Sequence, residues 1–273
     1  MNVPAATVPD GVALEGLLQQ ACENAAWRPA LYRQLVQTRV LVIVPDEEQT
    51  RGVARPDRLH FVQWMRLDGT SAIPVFSSAR TFFEAVPSGA KCLVIEVQQL
   101  LELTRGAILH VNPYSEFNLQ LMPSDVELLL TQKALVVPDR FTRESQRELS
   151  FRRVADPPVA MLDALTTLYS QHACVTAAYL AAVTGLYDDS HASLLLGLDI
   201  DGDPEPIVRD SGLVIRDTYH GPVNLDIVRI PAGAEGLSRS GFSLDFRFFD
   251  RRMAAVLVAP AGGVHPSSDP CSA

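Results

Sequence analysis

Ile73-Pro74-Val75-Phe76-Ser77-Ser78 reads as an apolar strand that ends at a pair of serines able to cap a helix. Proline removes a ladder donor, so this strand is expected at a sheet edge, or to begin at Pro74. Upstream, Leu59–Leu67 is strand-like and Asp68-Gly69 is a turn dipeptide, which makes a hairpin. Downstream, Ser77 or Ser78 opens a short helix carrying Phe82 and Phe83. Leu93–Val97 is a further apolar strand, running directly into a helix with Leu100, Leu101 and Leu103. Gly106 closes that helix, Ile108–Val111 is the next strand, and Asn112-Pro113 forces a turn. Ser124 then precedes a helix with Val126, Leu129 and Leu130.

Working back towards the start, Asp10 is placed to cap a helix with Leu14, Leu17, Leu18 and Ala21 on one face. A second helix follows Pro29, and Val40–Val44 is a β-branched run typical of a buried strand. Residues 10–132 thus alternate helix with strand, the pattern of a mixed sheet with helices packed on it. Asp139–Arg153 is rich in Arg, Glu, Gln and Ser and closes at Asp156-Pro157-Pro158, which marks a boundary. Beyond it come a helix (Met161–Tyr169), strands Val175–Thr184 and Leu194–Ile200, a helix (Ile207–Tyr219), a strand (Leu225–Ile230), and an edge strand or strap at Phe242–Phe248. The expected architecture is α+β in two domains, 10–138 and 158–252, each a mixed sheet carrying helices. Residues 139–157 form the linker, and 260–273 a disordered tail rich in Gly, Pro and Ser.

Composition narrows the function. Apolar residues make up 47% of the 273, enough for a core in both domains. The net charge is −9, and residues 157–273 hold 7 basic against 14 acidic side chains, with no lysine. A phosphate backbone demands clustered Lys and Arg, so nucleic acid is not an expected partner. Cys22, Cys92, Cys174 and Cys271 form no CxxC pair and suggest reduced thiols. No export signal or bilayer-spanning run is visible, and a cytoplasmic location away from membranes is expected.

Chemical motifs are sparse. Asp199, Asp201, Asp203 and Asp210 fall at positions 1, 3, 5 and 12 of a calcium-loop pattern, but Pro204 stands where that loop needs glycine. A solvated turn is the better reading. His172 and Cys174, two apart, would share one face of a strand, yet no acid or amide nearby orients the histidine. Ser88-Gly89-Ala90-Lys91 lacks the full phosphate-loop pattern, and no GxGxxG or GxSxG occurs. No cofactor, metal or catalytic residue is therefore expected. The candidate binding residues are Pro74, Phe76, Ser77 and Ser78, with Asn112, Pro113 and Tyr114. The two segments could border one groove, and tight packing would explain both as well.

Several of these segments, in order, carry a resemblance. They are Leu31-Tyr32-Arg33-Gln34-Leu35, the Val40–Val44 strand, Asp68-Gly69, Ile73–Ser78, Asn112-Pro113 and Pro123-Ser124-Asp125-Val126. Cys174-Val175-Thr176-Ala177-Ala178-Tyr179-Leu180 extends it into the second half. Together they resemble the two domains of the enhanced serine sensitivity protein B (SseB) family over about residues 12–250. Ser77 stands where that family's segment has threonine, and Tyr114, Ser115 and Glu116 follow the Asn-Pro turn in place of small residues. The resemblance implies a bacterial protein named for a phenotype, altered sensitivity to serine, with no active site to carry over. The expectation is a non-enzymatic cytosolic protein that binds another protein or itself, or regulates. The alternatives are a sensor of a small amino acid and an enzyme of unrecognised type.

Overall fold

The computed structural model describes residues 9, 11–45, 60–66, 68–86, 89–131, 149–186, 192–230 and 240–253. The chain divides into two compact units. The first comprises Met1–Leu135 with Asp210–Thr218, the second Val136–Arg209 with Tyr219–Ala273.

In the first unit, α1 (Val12–Glu23) and α2 (Arg28–Val36) precede strand β1 (Arg39–Val44). Then follow β2 (Trp64–Met65), β3 (Ser71–Phe76), α3 (Ala79–Ala85), β4 (Lys91–Glu96), α4 (Val97–Leu103), β5 (Ile108–Val111), β6 (Leu119–Leu121) and α5 (Pro123–Thr131). The sheet order is β4-β1-β3-β5-β6, with β2 also on β3. Among the described strands only β3 and β5 run parallel, so the sheet is mixed. One face packs Val40, Val42, Ile73, Val75, Leu109 and Val111 against Leu14, Leu18, Leu31, Leu35, Leu100 and Leu101. The helical spacing of those leucines and the period-2 spacing of the strand residues direct both sets into one core. On the other face, Leu41, Ile43 and Phe76 meet Phe82 and Val86.

Pro74 lies in a central strand and not at an edge. The Asn112 amide donates to Val75 O at 2.8 Å, so Val75 turns its polar groups towards β5 and Pro74 turns its own towards the opposite edge. On that edge β2 pairs with Ser71 and Ala72, and β1 pairs with Val75 and Phe76. Proline falls in the break between them, where no ladder donor is needed. The start of α1 also differs from expectation. Its N-cap is Gly11, at φ 72°, and makes no side-chain cap bond. Asp10 lies outside the described residues.

The second unit holds β7 (Ser150–Arg152), α6 (Val159–Gln171), β8 (Val175–Thr184), β9 (Ser193–Ile200), the start of α7 (Glu205–Thr218), β10 (Leu225–Ile230) and β11 (Arg247–Asp250). Its sheet order is β10-β9-β8-β11, with β7 sharing the β11 edge of β8. β9 and β10 run parallel, joined by α7, and the other pairs are antiparallel, so this sheet too is mixed. The chain is thus α+β with two mixed sheets. Part of the expected linker, Ser150–Arg152, is a sheet strand. The strap at Phe242–Phe248 resolves into a 3₁₀ turn at Leu244–Phe246 followed by β11. The 260–273 tail lies outside the described residues.

Candidate functional site

Because β3 and β5 are adjacent and parallel, their C-terminal ends lie side by side. In open α/β sheets, ligands favour this position. Ser77-Ser78 leaves β3 there and Asn112-Pro113-Tyr114 leaves β5, so the structure brings the two candidate segments together. The Ser77 amide donates to Asn112 Oδ1 at 2.9 Å, and Asn112 Nδ2 donates to Ser77 Oγ at 2.9 Å. Asn112 adopts φ 51°, a left-handed conformation that asparagine tolerates better than most residues. Ser78 caps α3 through a reciprocal box with Thr81. Ser77, Ser78, Thr81 and Asn112 are all buried.

Sequence reasoning missed the group that completes this knot. Glu15, on α1, accepts from Ser77 Oγ at 3.0 Å and Ser78 Oγ at 2.8 Å, both on Oε1. Its other oxygen pairs with Arg80. The Glu15 carboxylate thus takes the hydroxyls of both serines that lead into α3, while the α3 amide of Thr81 is capped by Ser78 Oγ. Gly11 permits the approach: a Cβ there would lie 2.8 Å from Ser77 O and 2.8 Å from Ser78 Cβ. Glu15 is 62 residues from Ser77 and reads in sequence as a solvated acid on a helix face.

The apolar candidates take another route. Phe76 is fully buried, in edge-to-face contact with Phe82 at 5.2 Å and Trp64 at 6.0 Å between ring centroids. Trp64 meets Tyr114 at 5.4 Å, and Phe82 meets Phe83 at 5.5 Å. A ladder of five aromatic rings therefore runs through this face of the sheet. Its two ends, Tyr114 and Phe83, are each 74% exposed. Pro74 sits inside the sheet, and Pro113 is half-buried in the turn before Tyr114.

The remaining motifs do not assemble. Asp203 accepts from the Glu205 amide at the start of α7. Asp210 is buried inside α7 and takes Arg33 Nη1 at 2.8 Å and 2.9 Å, away from the turn. Among the described residues no group of three or more His, Cys, Asp or Glu is placed to hold a metal. His172 is the C-cap of α6 and Cys174 precedes β8, so the pair does not share a strand. At the opposite end of β3 and β5 lies a shallow depression of about 520 Å³, bordered by Gln63, Ser71, Ile73, Arg105, Ile108 and Met122. Its polar groups are engaged: Ser71 Oγ donates to Gln63 Oε1 at 2.8 Å, and Arg105 pairs with Glu127 at 3.1 Å. Among the described residues no helix is long and apolar enough to cross a membrane.

Comparison with known proteins follows the same two-part division. The family model described as SseB protein N-terminal domain matches residues 14–128, and that of SseB protein C-terminal domain matches residues 143–243. Protein SseB of Escherichia coli (strain K12) is 31% identical over 244 residues, covering 89% of this chain and 94% of that protein. Protein SseB of Shigella flexneri matches with the same identity and coverage. No solved structure matches the chain. Both domains are matched in order and the alignment spans nearly the whole of each relative, so the chain belongs to the SseB family.

Proposed function

We propose that the chain is a non-enzymatic, cytosolic protein that works by binding another protein, or a second copy of itself, in a regulatory role. The observation that carries this reading is the aromatic ladder Tyr114–Trp64–Phe76–Phe82–Phe83, anchored in the core and open at both ends. Rigid aromatic rings held by buried neighbours offer large contact area at little entropic cost, and such residues are enriched at protein interfaces. The polar groups beside the ladder support the reading too. The donors that a small ligand would use, Ser77 and Ser78, already serve the Glu15 carboxylate.

The family's serine phenotype motivates the alternative of an amino-acid sensor. Such a sensor would have to displace Glu15 from α3, or use groups away from this knot.

The test is native mass spectrometry of the protein gently purified from its own cells, beside a Tyr114→Ser, Phe83→Ser double variant. The expected result is a protein-sized mass increment on the parent that is absent from the variant. An increment the size of a metabolite would replace the interaction reading with the sensor.

A further inference from the structure

In the second unit, β8 presents Ala177 and Tyr179 to the sheet face on which Phe242 packs. Register sets Asp199 of β9 and Asp250 of β11 directly across from Ala177, one on either side. Paired residues share a face, so two carboxylates flank one methyl group, two strand spacings or roughly 10 Å apart. One step along, Arg247 and Gly197 lie across from Tyr179. Gly197 leaves room for its neighbours: a Cβ there would meet Ile230 Cδ1 at 2.5 Å and Phe242 Cζ at 2.8 Å. Phe242 packs on Tyr179 at 6.1 Å and walls off that side.

The charges of this row are not balanced. Arg247 pairs with Asp250. Among the described residues the half-exposed Asp199 carboxylate has neither a hydrogen bond nor an ion pair, and the Tyr179 hydroxyl has no hydrogen-bond partner although the residue as a whole is only 5% exposed. Burial raises the Tyr179 phenol above its ordinary range; Arg247 opposes that shift, and Asp199 and Asp250 add to it. The neutral phenol is therefore favoured, close to a carboxylate that lacks a cation. Asp201, Asp203 and Glu205, all but the last in the turn leaving β9, extend the negative charge on the surface.

We propose that Asp199, Ala177 and Asp250, with Tyr179 beside them, form a socket for a basic side chain of a protein partner. The inference rests on the interaction reading and names the chemistry of the partner. The Ala177 methyl floors the socket for the aliphatic stem, Asp199 supplies the free charge, and the Tyr179 oxygen accepts from the ammonium or guanidinium group.

The test is an amide NMR titration of the full chain with acetyl-triarginine amide at physiological salt, with acetyl-triglutamine amide as the control. Expected are shifts centred on Ala177, Tyr179, Asp199 and Asp250, with no response to the glutamine peptide. Asp199→Asn should weaken binding at least tenfold, while Asp201→Asn, at an exposed acid nearby, should leave it within twofold. Shifts scattered over the acidic surface, or wild-type binding by Asp199→Asn, overturn the socket. A carboxylate without a partner contributes nothing to folding, so Asp199→Asn should melt at the parental temperature or above it. A marked fall would make Asp199 structural and would overturn the proposal. A cellular partner held equally by the parent and Asp199→Asn sinks the socket and leaves the interaction reading standing. Failure of the interaction reading shows differently, as no partner mass on either protein.

Discussion

Ser77 and Asn112, 35 residues apart, grip each other twice: the serine amide donates to the asparagine carbonyl oxygen and the asparagine amide donates to the serine hydroxyl, both at 2.9 Å. This reciprocal pair ties the ends of parallel strands β3 and β5 together and sets the turn that carries Tyr114. Asn112→Ala removes both bonds and places a Cβ-bearing residue without asparagine's local bonding at φ 51°. Each bond contributes about 1 kcal/mol and the left-handed conformation costs about 1–2 kcal/mol, so a loss of roughly 3 kcal/mol is expected. Asn112→Gly restores the conformational part alone and should lie about 1 kcal/mol closer to the parent. Urea midpoints at constant m-value measure both.

Gly11→Ala should be costly for a reason invisible at Gly11 itself. The added methyl would press on Ser77 O and Ser78 Cβ, both at 2.8 Å, and the backbone there is at φ 72°. Relief requires α1 to move off α3, which breaks the Glu15 bonds to both serines. A loss of about 2–4 kcal/mol is expected, whereas Gly16→Ala, exposed inside α1 where a Cβ meets nothing within 4 Å, should gain about 0.5–1 kcal/mol.

Arg251 clamps the C-terminal end of α6. Its Nε donates to Val175 O at 2.8 Å and its Nη2 to His172 O at 2.6 Å and Tyr169 O at 2.5 Å. Tyr169 O and His172 O each already accept one backbone amide, and the planar fork gives them a second, charged donor whose positive charge complements the helix dipole. Arg251→Ala should cost about 2–3 kcal/mol. Arg251→Lys should recover less than half of that, because one ammonium cannot span the three carbonyls. Thermal unfolding of the pair checks the ordering.

Tyr32 is buried in the first unit, and its phenol is pushed above the ordinary value of 10.0 by desolvation first, then by Asp217 and Asp125. Its neutral form is favoured in the folded state. Below pH 10 both states hold the proton and stability is unaffected. Above it the unfolded chain loses the proton first, so stability falls as pH rises towards the folded pKa, by at most about 1.4 kcal/mol per pH unit. Tyr32→Phe should flatten this alkaline slope. Urea denaturation at pH 9, 10 and 10.5 reads it out, and an unchanged slope contradicts the assignment.

What could be read in advance follows the length of each signal. Val175–Thr184 is a long run of mostly apolar residues, and the strand spans those same residues. β6 and β7, three residues each, are too short to show a period. Pro74 argued for an edge because the sequence cannot show that β2 and β1 divide one side of β3 between them. Ser77, Ser78 and Asn112 were readable as strand-end polar residues, but the partner that fills their site was not. Glu15 looks like any exposed acid until α1 is folded over α3. Asp210 is a like case: its spacing fits a calcium-loop pattern that Pro204 already argued against, and its actual partner, Arg33, lies 177 residues away, beyond any local signal.

With Glu15 on the serine hydroxyls, the common amino acids should not stabilise the protein. A thermal-shift panel at millimolar concentrations is expected to be flat, L-serine included. A ligand present at 100 times its Kd would add about 2.7 kcal/mol and could not be missed.

The central claim, that the open aromatic ladder meets another protein, is tested most directly by photo-crosslinking in the native cell. A benzophenone amino acid replaces Tyr114 in one strain and Glu102, exposed on α4, in another. The expected result is a discrete protein adduct, or a crosslinked homodimer, from position 114 and none from position 102. The same faint smear from both positions, with no discrete adduct at 114, would contradict it.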